Sequence, residues 1–233
     1  MTLYKKLLIV QVVIFLLFVF FGQSVLAIEN DLGLWTPVLI TLPINKKFSS
    51  QLEINPRSQD NVTRFDQLFI RPSVTYYFNK YFSYTQGYSW NPKFNPYLNE
   101  NRVWEQVRLE NNFSKFKLEN RFRLEEIFTK GVDGIPVRGR YRLGTWIPID
   151  KEKKWSFVLW DEFWFYFDSA SHGPSDGYDR NWLFAGINKK ISANVSLEGG
   201  YMFQHINHNS PKPDLLNHVI LVNLYITLPS LFK

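Results

Sequence analysis

The stretch Lys115–Phe128, KFKLENRFRLEEIF, decides the fold. Its even positions are Phe116, Leu118, Asn120, Phe122, Leu124, Glu126 and Phe128. Its odd positions are Lys115, Lys117, Glu119, Arg121, Arg123, Glu125 and Ile127. Successive side chains of a strand point to opposite faces, so this segment carries one greasy face and one ladder of opposite charges. A strand of that length and character needs hydrocarbon against the first face and water or ion pairs against the second. Only a closed barrel offers both while satisfying every backbone polar group.

The same period of two recurs along the chain. It predicts strands at Leu34–Leu42, Phe48–Arg57, Arg64–Phe78, Tyr81–Trp90, Arg102–Phe113, Lys115–Phe128, Arg138–Ile149, Trp155–Asp168, Arg180–Asn188, Ala193–Gln204 and Leu215–Leu228. Short turns (Ile44–Lys47, Asn79-Lys80, Ser114, Asp150–Lys154, Lys189–Ser192) alternate with longer loops (Ser58–Thr63, Asn91–Asn101, Thr129–Val137, Ser169–Asp179, His205–Asp214). Short turns at one end and long loops at the other are the layout of an outer-membrane barrel. Soluble sandwich strands are shorter, with about five or six residues. The expected fold is therefore all-β, a transmembrane antiparallel β-barrel of residues 28–233. Eleven strands would close in parallel, so a twelfth at Ile28–Gly33 is expected, with ten as the alternative.

Ahead of the barrel, Lys5 and Lys6 precede an apolar run, Leu7–Phe21, and Val25-Leu26-Ala27 suits a cleavage site. Residues 1–27 thus read as a secretory signal peptide, and Ile28 as the first mature residue. The run falls short of the ~20 residues a spanning helix requires. Removing Lys5 and Lys6 lowers the net charge from +6 to +4, and no basic arm or lysine-rich helix points to nucleic acid. The chain has no cysteine, which excludes disulfides, thiolate metal sites and thiol nucleophiles. Neither a metal nor another cofactor is expected. Aromatic residues, at 18%, suit both strands and membrane interfaces.

The chemistry is concentrated on the polar face. The parity of each strand sends Arg57, Arg71, Arg108, Arg121, Arg123, Arg138, Arg140, Arg142 and Arg180 inward, with Glu53, Glu110, Glu119, Glu125, Glu162, Asp168 and Glu198. The densest part is Arg108 and Glu110, then Glu119, Arg121, Arg123 and Glu125, then Arg138, Arg140 and Arg142. Opposite charges on one face of adjacent strands sit close enough to pair, and the arginine fork can hold two carboxylates. Two readings follow: a structural lattice that fills the lumen, or an arginine track that passes anions. Trp160, Trp164 and Tyr166 share the parity of Glu162. Trp35, Trp90, Trp155, Tyr76, Tyr77, Tyr81 and Tyr84 lie near strand ends, where interface girdles form. Glu105 and Asp161 fall on the apolar parity, for which bulges or a place at the membrane boundary are the expected reasons.

An enzyme of lipids would need a nucleophile, a base and an orienting group close together. The loops hold His205, His208, Ser210 and Asp214 in one case and Ser171, His172, Ser175 and Asp176 in the other, without the spacing of a known barrel hydrolase. The chain resembles a bacterial family known only as domain of unknown function 2490, whose members are predicted to be outer-membrane barrels. The resemblance lies in Leu34-Trp35, Asn79-Lys80-Tyr81, Arg102-Val103-Trp104-Glu105-Gln106 leading to Arg121-Phe122-Arg123-Leu124-Glu125, and Asn217-His218. It implies the fold and brings no activity. The expected role is a non-enzymatic outer-membrane protein, structural or a narrow anion-tolerant channel. The alternatives are a lipid-modifying enzyme or a surface binding module working through the loops. The expected partners are outer-membrane lipid and lipopolysaccharide, the barrel-assembly machinery and a small anionic solute.

Overall fold

The structure is a computed structural model, and it describes residues 29–169, 175–208 and 214–232. The leader at 1–27 lies outside the described residues. The strands are β1 (Glu29–Trp35), β2 (Val38–Pro43), β3 (Phe48–Gln59), β4 (Arg64–Tyr77), β5 (Phe82–Trp90), β6 (Lys93–Phe94), β7 (Tyr97–Leu98), β8 (Glu100–Asn112), β9 (Lys117–Thr129), β10 (Val137–Pro148), β11 (Trp155–Tyr166), β12 (Gly177–Lys190), β13 (Val195–Ile206) and β14 (Leu215–Thr227). From β3 to β14 each long strand pairs antiparallel with the next, and the sheet closes on itself through β1 and β2. The two-residue strands β6 and β7 form a small hairpin in the loop after β5, where Lys93 pairs with Gln67 of β4.

The strand number corrects the sequence expectation. β1 and β2 are two halves of one stave, since both run parallel to β14 and antiparallel to β3. The wall therefore has eleven staves, neither twelve nor ten, and its seam is parallel. Glu29–Gly33 is the upper half of the first stave and not a separate strand running the other way. Pro37 lacks an N–H and interrupts the ladder between the halves, but its carbonyl still accepts Leu224 N–H at 2.8 Å. Parallel bonds are slanted yet saturate both edges, so an odd number closes the wall without a free edge.

The seam makes a direct prediction. Leu34 stands opposite Ile220 and both project outward. Replacing both with cysteine in this cysteine-free chain should give a disulfide on mild oxidation. The pair Leu34→Cys with Val222→Cys, two residues out of register, should not cross-link, because the Cα separation exceeds the ~7 Å limit. Equal cross-linking of both pairs, read as a mobility shift reversed by reductant, would refute the parallel register.

Local chemistry fixes the turns. Asn45 Oδ1 accepts the N–H of Lys47 at 2.8 Å and of Phe48 at 2.9 Å, and Asn79 Oδ1 does the same for Tyr81 and Phe82. Ser192 Oγ takes Asn194 and Val195 N–H. These side chains mimic the backbone acceptor that a tight turn lacks. Asp150 closes its turn on Trp155 N–H at 2.8 Å and Lys154 N–H at 3.0 Å, and these donors hold its carboxyl below the usual carboxylate range. At the loop end, Asp31 of β1 accepts Asp60 and Asn61 N–H, both at 3.0 Å. It thereby anchors a run of left-handed residues, Asp60, Asn61 and Val62.

Candidate functional site

Strand parity puts two different surfaces on the two sides of the wall. Outward stand Leu52, Ile54, Val74, Val103, Val107, Leu109, Phe122, Phe157, Ile187, Leu197 and Ile220, all exposed. Inward, and buried, stand Arg71, Arg102, Arg123, Glu125, Arg138, Arg140, Glu162 and Glu198. Along the β3–β10 arc the usual arrangement of a water-soluble protein is inverted, whereas along β11–β14 the inward side is largely apolar, with Val158, Phe184, Met202, Val219 and Leu221 buried together.

Of ten residues on the polar face, the nine of the densest part and Glu162, the structure brings six into a lattice around Glu125 and Glu162 and three into a cluster around Glu119. Glu125, 1% exposed, is the hub. Its carboxylate takes Arg138, which binds it through both Nε and Nη2, and Arg140 Nη1 at 2.8 Å. Arg102 and Arg123 stand at 3.5 and 3.6 Å. Arg140 then bridges to Glu162 at 2.8 Å, and Arg121 reaches the same Glu162 oxygen at 2.7 Å. Arg142 binds Glu119, with Arg108 3.9 Å from the other Glu119 oxygen. The tenth, Glu110, lies nearer the turns and pairs with Lys117 at 3.4 Å. Cross-strand register explains the Arg138–Glu125 pair, whose members stand directly opposite; Arg142 stands opposite Arg121 and reaches diagonally to Glu119, which faces Gly144.

Aromatic rings fill the space between the charges. The Arg140 guanidinium lies 3.8 Å above the Trp164 ring and Arg138 4.3 Å from it. Arg57 sits 3.4 Å over Trp35 and 3.9 Å from Phe69, which also takes Arg71 at 4.2 Å. Arg123 rests on Trp104 at 4.0 Å while its Nη2 donates to Gln106 at 2.9 Å. The π-faces give the guanidinium planes the favourable contact that a carboxylate leaves unused. Trp104 in turn depends on Gly87 directly opposite: a Cβ there would fall 2.1 Å from its ring. Glu198 is different, since it accepts from neutral donors: Asn223 and Tyr225 at 3.2 Å, Trp146 Nε1 at 3.2 Å and Asn188 at 3.4 Å.

Several side chains lie away from their expected places. Trp35 and Tyr77 belong to the lumen and not to a girdle, because Trp35 carries Arg57 and Tyr77 OH meets Ser49 Oγ at 3.1 Å. Asp168 is outside the lumen, at the loop rim, where it accepts Val137 N–H at 2.8 Å. No bulge turns Glu105 or Asp161 inward, since the irregularities of register fall at Arg57/Ser58 and Trp164/Phe165. Asp161 faces outward and accepts Asn181 Nδ2 at 2.6 Å. Glu105 faces outward opposite Gln86. Arg102 could have been found from sequence, since it continues the inward set Trp104, Gln106, Arg108 and Glu110. Phe69 and Trp182 gave no such signal, because an inward aromatic reads like a girdle one.

In the last loop, His205 Nε2 lies 2.8 Å from Asp214 Oδ2 and Nδ1 2.8 Å from Tyr178 OH. Both ring nitrogens are thus engaged in tying β12 and β13 to the loop. His172 and Ser210 lie outside the described residues. Among the described residues no group of three His, Asp or Glu stands close enough together to hold a metal.

The profile of the family described as Protein of unknown function (DUF2490) matches residues 32–214. An uncharacterised protein of Methylorubrum extorquens is 25% identical over 188 residues, covering 75% of this chain and 78% of its own. No solved structure matches.

Proposed function

The chain belongs to the DUF2490 family, whose description assigns no activity, and from the geometry we propose that it is an exported outer-membrane β-barrel with a plugged lumen. The observation that carries this reading is the inverted polarity of a closed wall. A ring of exposed leucine, isoleucine, valine and phenylalanine surrounds an interior that is charged on one arc and largely apolar on the other, and such a ring in water would be a very large apolar patch. Staves such as β3, β4 and β12, of 12 to 14 residues, exceed the ~9–11 that a tilted strand needs to cross a bilayer, and β5, with nine, matches it.

Two aromatic belts support it. Near the turns, Phe48 packs on Tyr76, Tyr76 on Phe78, Phe78 on Phe82, and Phe113 on Phe116. Near the loops, Phe65 packs on Phe94, Phe165 on Phe167, and Tyr178 on His205. Girdles at both interfaces with an apolar band between them are what a lipid bilayer selects. Lysines crowd the turn end (Lys46, Lys47, Lys80, Lys115, Lys151, Lys153, Lys154, Lys189, Lys190), where their stems can extend past the last rings to lipid head groups. In this reading the turns face the periplasm and the loops face lipopolysaccharide. Insertion then falls to the barrel-assembly machinery.

The lattice around Glu125 and Glu162 makes the barrel a structural one. Its members are buried and tied to one another, so no file of free arginines is left for ions to follow. The expected result is recovery in the outer-membrane fraction, with a shift in gel mobility on boiling and no discrete current steps in planar bilayers. Soluble periplasmic recovery would refute the membrane reading. Reproducible steps from the folded wild-type barrel would refute the plug.

A further inference from the structure

The lumen is not filled along its whole length. Toward the turns, below the Glu125 lattice, a cavity of about 710 Å3 opens, lined down to Ser114, Lys153 and Lys190 of the turn end. That volume lies in the range of small-molecule sites. Its lining is divided by chemistry. One arc, from β8 to β10, carries Arg108, Lys117, Arg121 and Arg142, whereas the adjoining arc, from β2 to β5, is a wall of hydroxyl and amide groups.

The charges do not cancel. Seven cationic side chains line the cavity against three carboxylates, Glu53, Glu119 and Glu198. Glu53 is held by Arg71, Glu119 by Arg142, and Glu198 by neutral donors. Arg108 and Lys117, each with 30% of the side chain exposed, have looser contacts, 3.9 Å to Glu119 and 3.4 Å to Glu110, and Lys117 stands 4.0 Å from the Trp146 ring. The hydroxyl wall is linked internally, Thr75 to Thr85 at 2.9 Å and Gln51 to Thr41 at 2.9 Å. Each hydroxyl still keeps acceptor capacity, because it has two lone pairs and one proton. Trp104 and Trp146 add ring faces to the same lining.

We propose that this vestibule binds a hydroxylated carboxylate of about disaccharide size, an acidic sugar entering from the turn end. Arg108 and Lys117 take the carboxylate, and the Ser/Thr wall takes the ring hydroxyls. The binding goes beyond the membrane reading and does not depend on it, since the cavity belongs to the folded barrel in detergent as much as in lipid.

The test is calorimetric titration of the full mature barrel in detergent micelles with digalacturonate, lactose and inorganic phosphate. Folding is checked separately by the boiling shift. Saturable binding of digalacturonate is expected, at least about tenfold tighter than lactose or phosphate, and weakened about tenfold in Arg108→Gln/Lys117→Gln. Absent saturation, equal binding of phosphate or lactose, or an unaffected double variant would overturn the proposal. Should that variant not fold, Arg108→Gln alone replaces it, and unchanged affinity there overturns the proposal equally. Loss of the outer-membrane location with binding retained would remove only the reading of location.

Discussion

Glu125→Ala is expected to cost the barrel about 3–5 kcal/mol, because it leaves buried arginines facing one another without their counter-charge. Four guanidinium groups converge on that carboxylate: Arg138 and Arg140 bind it directly, and Arg102 and Arg123 stand within 4 Å. No water-facing route lets them turn away, since each of these side chains is buried. Glu125→Gln keeps one oxygen acceptor and should fall between. Glu152→Ala, in an exposed turn, should lie within about 0.5 kcal/mol of wild type. The measurement is the urea midpoint at which the unboiled, fast-migrating form is lost. A midpoint for Glu125→Ala equal to that of wild type would mean that the lattice carries no stability.

Replacing Glu125, Arg138 and Arg140 together with serine should behave differently. Both signs leave at once, so fewer buried charges stay unpaired, and the triple variant is expected to be more stable than Glu125→Ala alone. Such non-additivity is the signature of residues that act as one unit. The same change removes the bulk that fills the loop-side lumen. Discrete current steps should therefore appear where wild type shows none. They should favour anions, because Arg121, Arg123 and Arg142 remain on the wall of the opened passage. A folded triple variant that stays silent would move the seal to the platform where Arg57 lies between Trp35 and Phe69.

Both expectations rest on a network whose members could be read from sequence but whose connections could not. Arg121, Arg123 and Glu125 share a face by parity alone. That Arg140 spans Glu125 and Glu162 depends on the register of β9 on β10 and of β10 on β11, which the turns and loops set. The outward Asp161 shows the same division. Its parity was legible, but its partner Asn181 sits 20 residues away on β12.

The sequence by itself determined the strand alternation, the inward ladder of arginine and glutamate, and the rhythm of short turns and long loops, because each follows from neighbours two or a few residues apart. Only the tertiary structure decided the parallel seam and the count of eleven staves, the placement of Trp35, Phe69 and Tyr77 in the lumen, and the cavity toward the turn end. Those depend on how the two ends of the chain meet and on how bulky side chains from distant strands share one enclosed volume. A period of two carries neither.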